Sequence, residues 1–288
     1  MARPKEGGGR SPGRGGQASG GGRGREGSRR EGGRSEAQDP GRSQPTVTPE
    51  GVESEPRTPR LALIATPIGN LGDLSPRAAE ELRNADLWFA EDTRVSSKLA
   101  AHLEIRRTMR LVNEHTGPEA LARYVAELKE GRQGALVTDG GAPAVSDPGA
   151  MLCDRCHEEG VEIDAIPGPS APITALMASG FFAQRFVFLG FLGRKAGDVR
   201  KELLPFADSP YTLVLFESPH RFRQTLEWTG EALGERRYAI CRELTKLHQQ
   251  VFRAKLPILP SEAEVPSKGE FTIVVEGRRK GTREDVRE

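Results

Sequence analysis

Gly134-Ala-Leu-Val-Thr138 runs straight into Asp139-Gly-Gly-Ala-Pro-Ala-Val-Ser-Asp-Pro-Gly149 and then into a helical pattern from Ala150 to Glu159. A short apolar run closed by a Gly/Pro-rich loop reads as a buried strand, and Gly160 is the expected helix stop. The same strand–loop–helix unit occurs on both sides of it. Upstream, Leu61-Ala-Leu-Ile-Ala65 leads into the turn Thr66-Pro-Ile-Gly-Asn70, and Ser75-Pro76 supplies a cap and a first-turn proline for a helix to about Ala85. Asp86-Leu-Trp-Phe-Ala90 reads as a second strand, followed by helices over Val95–Leu103 and Pro118–Glu130. Downstream, Val161–Ile166 is a strand, and Pro167-Gly-Pro169 turns the chain into a helix capped by Ser170. Short strands alternating with helices predict an α/β fold whose first sheet is mostly parallel.

Beyond Gly180 the alternation resumes with Phe186–Phe191, a polar helix near Ala196–Ala207, Tyr211–Phe216 and Pro219–Leu233. Tyr238–Arg242, Gln250–Lys255 and Phe271–Val275 follow as strands in close succession, which predicts a mixed, partly antiparallel second sheet. The expected organisation is therefore an N-terminal α/β lobe over 61–180 and a C-terminal α/β lobe over 181–280. Residues 1–60 hold 15 of the 34 glycines and 12 basic against 8 acidic side chains, with no aromatic residue. That composition cannot offset chain entropy by burial, so a disordered Gly/Arg-rich tail is expected there, and a disordered end over 281–288.

Several function classes drop out. The longest strongly apolar stretch, Phe181 to Leu192, is interrupted by Gln184 and Arg185 and is too short for a bilayer. No signal-peptide pattern opens the chain, so a cytoplasmic setting without membrane contact is expected. Three cysteines make no disulfide framework, and the haem-like string Cys153-Asp-Arg-Cys156-His157 falls on a helix with no export signal. The five histidines are scattered, so no metal is expected.

In an open parallel sheet the ligand crevice lies beyond the carboxyl ends of the strands. Three Gly/Pro-rich loops, Thr66–Asp73, Asp139–Gly149 and Pro167–Ala171, follow strands of the first half and should converge there. Neither a G-x-G-x-x-G fingerprint nor a P-loop follows the first strand, which favours a neutral or zwitterionic ligand held by backbone groups. In the second half, Phe216-Glu-Ser-Pro-His-Arg221 and Cys241-Arg-Glu-Leu-Thr-Lys246-Leu-His248 place polar groups directly after apolar strands. A plain structural reading makes the first of these a helix start, with Ser218 as cap and Pro219 at the first position.

Seven strings together resemble the RsmI family of ribosomal RNA small subunit methyltransferases, in the tetrapyrrole-methylase-like superfamily. They are Ala65-Thr-Pro-Ile-Gly-Asn-Leu-Gly-Asp73, Glu91-Asp-Thr-Arg94, Thr138 to Gly149, Pro167-Gly-Pro-Ser-Ala171, Phe216 to Arg221, Cys241 to Lys246 and Lys268-Gly-Glu-Phe-Thr272. They fall in family order and span about Leu61 to Gly277. The resemblance implies a two-domain homodimer that binds S-adenosylmethionine between its lobes and methylates a cytidine 2′-hydroxyl in the decoding region of 16S rRNA. Two departures are visible: Thr138-Asp139-Gly140-Gly141-Ala142-Pro143 stands where the family has Ser-Asp-Ala-Gly-Thr-Pro, and Gln249 where it has an acidic residue.

On that resemblance Pro67, Gly69, Gly141, Ala142, Val145, Asp147 and Ser170 are the expected cofactor-binding residues. The catalytic candidates are Glu91, Arg94, Glu217, Arg242, Glu243 and Lys246, with Asp92 and His220 beside them. Glu217 or Glu243 would take the acceptor's proton, and Arg242 or Lys246 would steady developing negative charge. Residues 61–288 carry 30 basic and 33 acidic side chains, so phosphate contacts fall to local clusters. Those clusters are Arg106-Arg107 with Arg110, Arg194-Lys195 with Arg200-Lys201, and Arg236-Arg237. Two other functions use the same scaffold: methylation of a small tetrapyrrole-like substrate, and a non-enzymatic ribosome-assembly factor that binds RNA.

Overall fold

The computed structural model describes residues 58–279, so the expected tail and C-terminal end lie almost wholly outside the described residues. The chain order is β1 (Arg60–Ile64), α1 (Pro76–Asn84), β2 (Leu87–Ala90), α2 (Thr93–His102), β3 (Thr108–Leu111), α3 (Pro118–Lys129), β4 (Gln133–Val137), α4 (Gly149–Glu158), β5 (Glu162–Ile166) and α5 (Ala171–Ser179). It continues with β6 (Phe186–Phe191), α6 (Ala196–Leu203), β7 (Thr212–Glu217), α7 (Phe222–Leu233), β8 (Arg237–Arg242), β9 (Gln250–Lys255) and β10 (Phe271–Val275).

Local sequence sets most of these boundaries. Ser75 Oγ accepts the Ala78 N–H at 3.1 Å with Pro76 in the first turn, so α1 starts where Ser-Pro says it should. Asp92 caps α2 by accepting the Arg94 N–H at 2.8 Å. Gly180, at φ +63°, ends α5 in the left-handed conformation. Ser170 precedes α5, but its side chain makes no capping bond.

The first sheet is parallel throughout, in the order β3-β2-β4-β1-β5. Helices α1 and α2 cover one face around Trp88, whose Nε1 donates to the Leu82 carbonyl at 3.1 Å. Helices α3 and α4 cover the other face around Phe89. Chain leaving β1 crosses toward β2, whereas chain leaving β4 crosses toward β5 on the opposite face. A crevice therefore opens beyond the adjacent ends of β1 and β4.

The second sheet is mixed: β6-β7-β10-β8-β9, parallel between β6 and β7 and antiparallel elsewhere. Its strands alternate between two cores with period two. Leu213, Leu215, Tyr238, Ile240 and Ile273 face α6 and α7, while Val214, Ala239, Cys241 and Val274 face α5. Helix α5, although it leaves the first sheet, packs on the second.

Three expectations need correction. β3 was not anticipated, because Thr-Met-Arg-Leu at a sheet edge is half exposed and shows no alternation. α7 starts at Phe222, so Ser218 is not its cap nor Pro219 its first residue; Ser218–Arg221 instead form a turn in which the Ser218 carbonyl accepts from Arg221 and Phe222. The polar helix α6 stops at Leu203 and tightens into a 3-10 turn over Leu204–Phe206, because Pro205 cannot donate into an α-helical ladder.

Candidate active site

The three Gly/Pro loops that follow strands of the first sheet do converge. Thr66 and Gly141 exchange main-chain hydrogen bonds of 2.9 and 3.0 Å, joining the ends of β1 and β4. A Cβ on Gly168 would lie 3.0 Å from the Ala65 carbonyl oxygen, and one on Gly140 would lie 3.3 Å from that of Pro67. Glycine thus lets backbone pack on backbone here.

Asp147 organises the longest of these loops. Its Oδ1 accepts the N–H groups of Ala144 at 2.9 Å and Gly149 at 2.8 Å, while Oδ2 is buried without a hydrogen-bond partner. Ala144 and Ser146, both preceding Asp147 in the loop, hold φ of +65° and +66°, and Gly141 holds +98°. Such conformations cost about 1–3 kcal/mol for non-glycine residues and concentrate at functional sites. Burial raises the Asp147 pKa, helped by the charge of Glu91, against the pull of the Gly149, Ala144 and Val145 N–H groups. Burial also raises that of Asp139, helped by the charges of Glu91 and Asp92. Glu91, at the end of β2, accepts the Thr138 hydroxyl at 2.7 Å, its one hydrogen bond among the described residues.

The second sheet supplies the facing wall. Glu217, its side chain 1% exposed, accepts the Thr225 hydroxyl at 2.6 Å and the Ser218 N–H at 2.7 Å, with Arg221 at 3.4 Å. Phe191 and Phe216 stand beside it, and Gly269 and Glu270 with the first residues of β10 complete the wall. Together the walls enclose a cavity of about 530 Å³, within the usual range for a small-molecule site.

Of the expected site residues, Glu91, Gly141, Ala142, Val145, Asp147, Ser170 and Glu217 line this cavity. The others do not. Pro67 lies behind Gly140. Gly69 presses on the turn after β8, where a Cβ would overlap Lys246 Cγ and stand 2.9 Å from Thr245 Oγ1. Arg94 is 89% exposed and folded onto Asp92, which it holds down at a pKa of about 2. Arg242 is used by Gln250 and by the Lys268 and His248 carbonyls. Lys246 forms a rim network with Glu243 at 3.1 Å and Glu270 at 2.8 Å. Burial pulls the Lys246 pKa down, but the two carboxylates outweigh it, so the ammonium stays charged.

Sequence reading missed Asp139, Ser146, Phe191, Phe216 and Glu270, which all line the cavity. Glycine inside the strand Phe186–Phe191 was the available signal for Phe191, since it marks a bulge. The basic clusters are mostly structural. Arg107 donates to the Ala85 and Arg83 carbonyls, Arg110 pairs with Glu127, Arg200 with Glu231, and Arg237 with Glu276. Arg236 is buried and donates to the Ala207 carbonyl. Arg194, Lys195 and Lys201 make no ion pair among the described residues and are exposed.

Cys153 and Cys156 sit on α4 with burial raising their pKa values to about 11 and about 12, so both stay thiols. Among the described residues no group of three His, Cys, Asp or Glu is placed to hold a metal ion. No helix there is long and apolar enough to cross a membrane.

Comparison with known proteins agrees with this architecture. The family model of tetrapyrrole (corrin/porphyrin) methylases matches residues 60–260. The ribosomal RNA small subunit methyltransferase I of Thermotoga maritima is 41% identical over 221 residues, covering 76% of this chain and 99% of that protein. Its counterpart in Halalkalibacterium halodurans is 43% identical over 218 residues, 75% of each chain. Among solved structures, the methyltransferase CobJ superposes with a TM-score of 0.58 at 18% identity, covering 78% of this chain and 97% of that one. Uroporphyrin-III C-methyltransferase from Thermus thermophilus, complexed with S-adenosyl homocysteine, gives 0.54 at 18%, covering 75% and 96%. By sequence over three quarters of its length, the chain belongs to the ribosomal RNA small subunit methyltransferase I family, within the tetrapyrrole methylases.

Proposed function

We propose that the protein transfers a methyl group from S-adenosylmethionine to the 2′-hydroxyl of a cytidine in the decoding region of small-subunit rRNA. The observation that carries this reading is the cavity between two walls, with glycine backbone on one side and carboxylates on both. The residues fit such a cofactor. Gly141 and Ala142 present close-packed main chain, and the unpartnered Asp147 Oδ2 supplies a negative pole for a sulfonium cation. Ser170 adds a hydroxyl at the start of α5.

When bound, S-adenosylmethionine supplies the electrophilic methyl group, and the protein's work is binding and alignment. Good alignment of attacking oxygen and carbon contributes on the order of 7–11 kcal/mol. Glu91, which lines the cavity, is the better placed proton acceptor for the ribose hydroxyl: Thr138 fixes one of its oxygens, and the other makes no hydrogen bond among the described residues. Both oxygens of Glu217 are already engaged, so it shapes the opposite wall. The charged Lys246 network at the rim steadies the second-lobe turn that carries Glu270.

The same reading includes cytoplasmic small subunits as substrate, lobes dividing near residue 180, and a homodimer. Ile173 and the 77% exposed Met177 give α5 an apolar outer stripe for a second copy. Sedimentation should show a dimer that Met177→Glu dissociates. The decisive experiment is transfer of tritium from labelled S-adenosylmethionine to 30S subunits, with nuclease mapping of the product. Label on a cytidine ribose supports the proposal; label only on a tetrapyrrole, or none, refutes it.

A further inference from the structure

Strand β6 carries an irregularity that decides where one side chain points. Phe188 pairs with Val214 on β7, yet the next paired residues are Phe191 and Phe216. Three residues on β6 therefore span two on β7, which is a bulge. Gly190 makes it possible with φ of +63°, and a Cβ there would come 3.1 Å from Ser146 Oγ of the facing loop. In a regular strand residues 188 and 191 would face opposite sides. The extra residue puts both on the cavity side, where Phe188 meets the Phe216 ring edge-on at 5.0 Å and Phe191 meets it tilted at 5.5 Å.

Phe191 is consequently 61% exposed at a cavity wall, although its strand has a buried core on its other face. Bulges next to active sites commonly re-aim a side chain. A flat apolar ring held open to solvent suits a flat, uncharged partner. The chain then runs through Gly193, whose carbonyl accepts from Arg221 at 2.7 Å, to Arg194 and Lys195, which are exposed and make no ion pair among the described residues. An aromatic platform followed by free cations is the pattern that binds unstacked nucleic acid, base on ring and phosphate on cation.

Resting on the methyl-transfer reading above, we propose that Phe191 stacks against the base of the target nucleotide, or of its immediate neighbour, splayed from the RNA. Arg194 and Lys195 take the adjoining phosphates. Stacking draws the sugar to the cavity and so lowers the KM for RNA without acting on the cofactor.

The test compares F191A, F191L, F191Y and F191W with the parent chain, measuring KM and kcat on 30S subunits and calorimetric affinity for S-adenosylmethionine. Base–aromatic stacking predicts a KM for subunits raised about tenfold or more in the Ala and Leu variants. The Tyr and Trp variants should stay near the parent, and cofactor affinity should not change in any. A double R194A/K195A variant should flatten the salt dependence of subunit binding. Unchanged KM in F191A, or Leu performing as well as Trp, overturns the stacking role and leaves the methyltransferase reading standing. Lost cofactor affinity with unchanged KM overturns it too, making Phe191 a wall of the cofactor pocket. A parent chain that transfers nothing to subunits takes down both readings together.

Discussion

The two walls of the cavity are made by different means. The first-lobe wall is main chain: three glycine-rich loops interlocked at Thr66 and Gly141, with Asp147 holding a loop in left-handed conformations. The second-lobe wall is side chain: a phenylalanine pair and a buried Glu217 on a regular sheet, varied by one bulge. A backbone wall reads a ligand by shape and cannot be changed without moving the loop. A side-chain wall can be altered residue by residue. On the function proposed above, the first wall would hold the small cofactor and lend Glu91 to the reaction, the second would meet the polymer, and substitutions on each side test that division.

The largest effect is expected at Gly141. Its φ of +98° is a backbone conformation that L side chains rarely adopt, so any substitution there is strained. Gly141→Phe should abolish calorimetric binding of S-adenosylmethionine while the circular dichroism of the fold persists. Unchanged affinity would move the cofactor off this wall. Next comes Glu91→Gln, which keeps the shape and removes the proton acceptor. The expected loss is about 100-fold in kcat, with cofactor affinity retained. A full rate would exclude Glu91 and return the role to Glu217.

Asp147→Asn separates folding from function. Burial keeps the native carboxyl's pKa above its ordinary 3.8. A carboxyl that ionises later in the folded chain than in the unfolded one lowers stability as pH rises beyond 3.8, and does nothing below it. The amide has no charge to bury, so the variant should melt higher than the parent at neutral pH and no differently at pH 3. Its affinity for the sulfonium should nevertheless fall about tenfold, about 1.4 kcal/mol. A variant that melts higher and binds as well would remove Asp147 from the cofactor's charge balance.

Fold and site were not equally legible in sequence. Strands β6, β9 and β10 fell where the sequence put them, β6 and β10 as short apolar runs and β9 as an alternating one. The convergence of Thr66, Gly141 and Ser170 also followed from strand order in parallel sheets. Which charged residues reach the cavity did not follow. Arg94 is diverted by Asp92 two positions away, and Arg242 by carbonyls from distant turns. Phe191 was hidden for a geometric reason: alternation from Phe188 puts it on the wrong face, and although Gly190 hints at a bulge, the register against β7 is what locates the extra residue. Long-range partners decide such outcomes.

The smallest expected effect lies at the seam where the two walls meet. Gly69 belongs to the first-lobe loop, yet its neighbours are Lys246 Cγ, Thr245 Oγ1 and the Leu244 carbonyl of the second lobe. The Asn70 N–H donates to Thr245 Oγ1 at 3.1 Å across the same junction. Thr245 itself holds φ of +63° and Glu243 +51°, so the second-lobe side has little freedom to yield. A methyl group at Gly69 must displace the flexible Lys246 stem or part the lobes slightly. Gly69→Ala should therefore lower kcat about three- to tenfold through misalignment of the two walls, leaving cofactor affinity close to the parent value. If affinity fell as far as in Gly141→Phe, Gly69 would belong to the cofactor floor after all, and the separation of the walls would not hold at this corner.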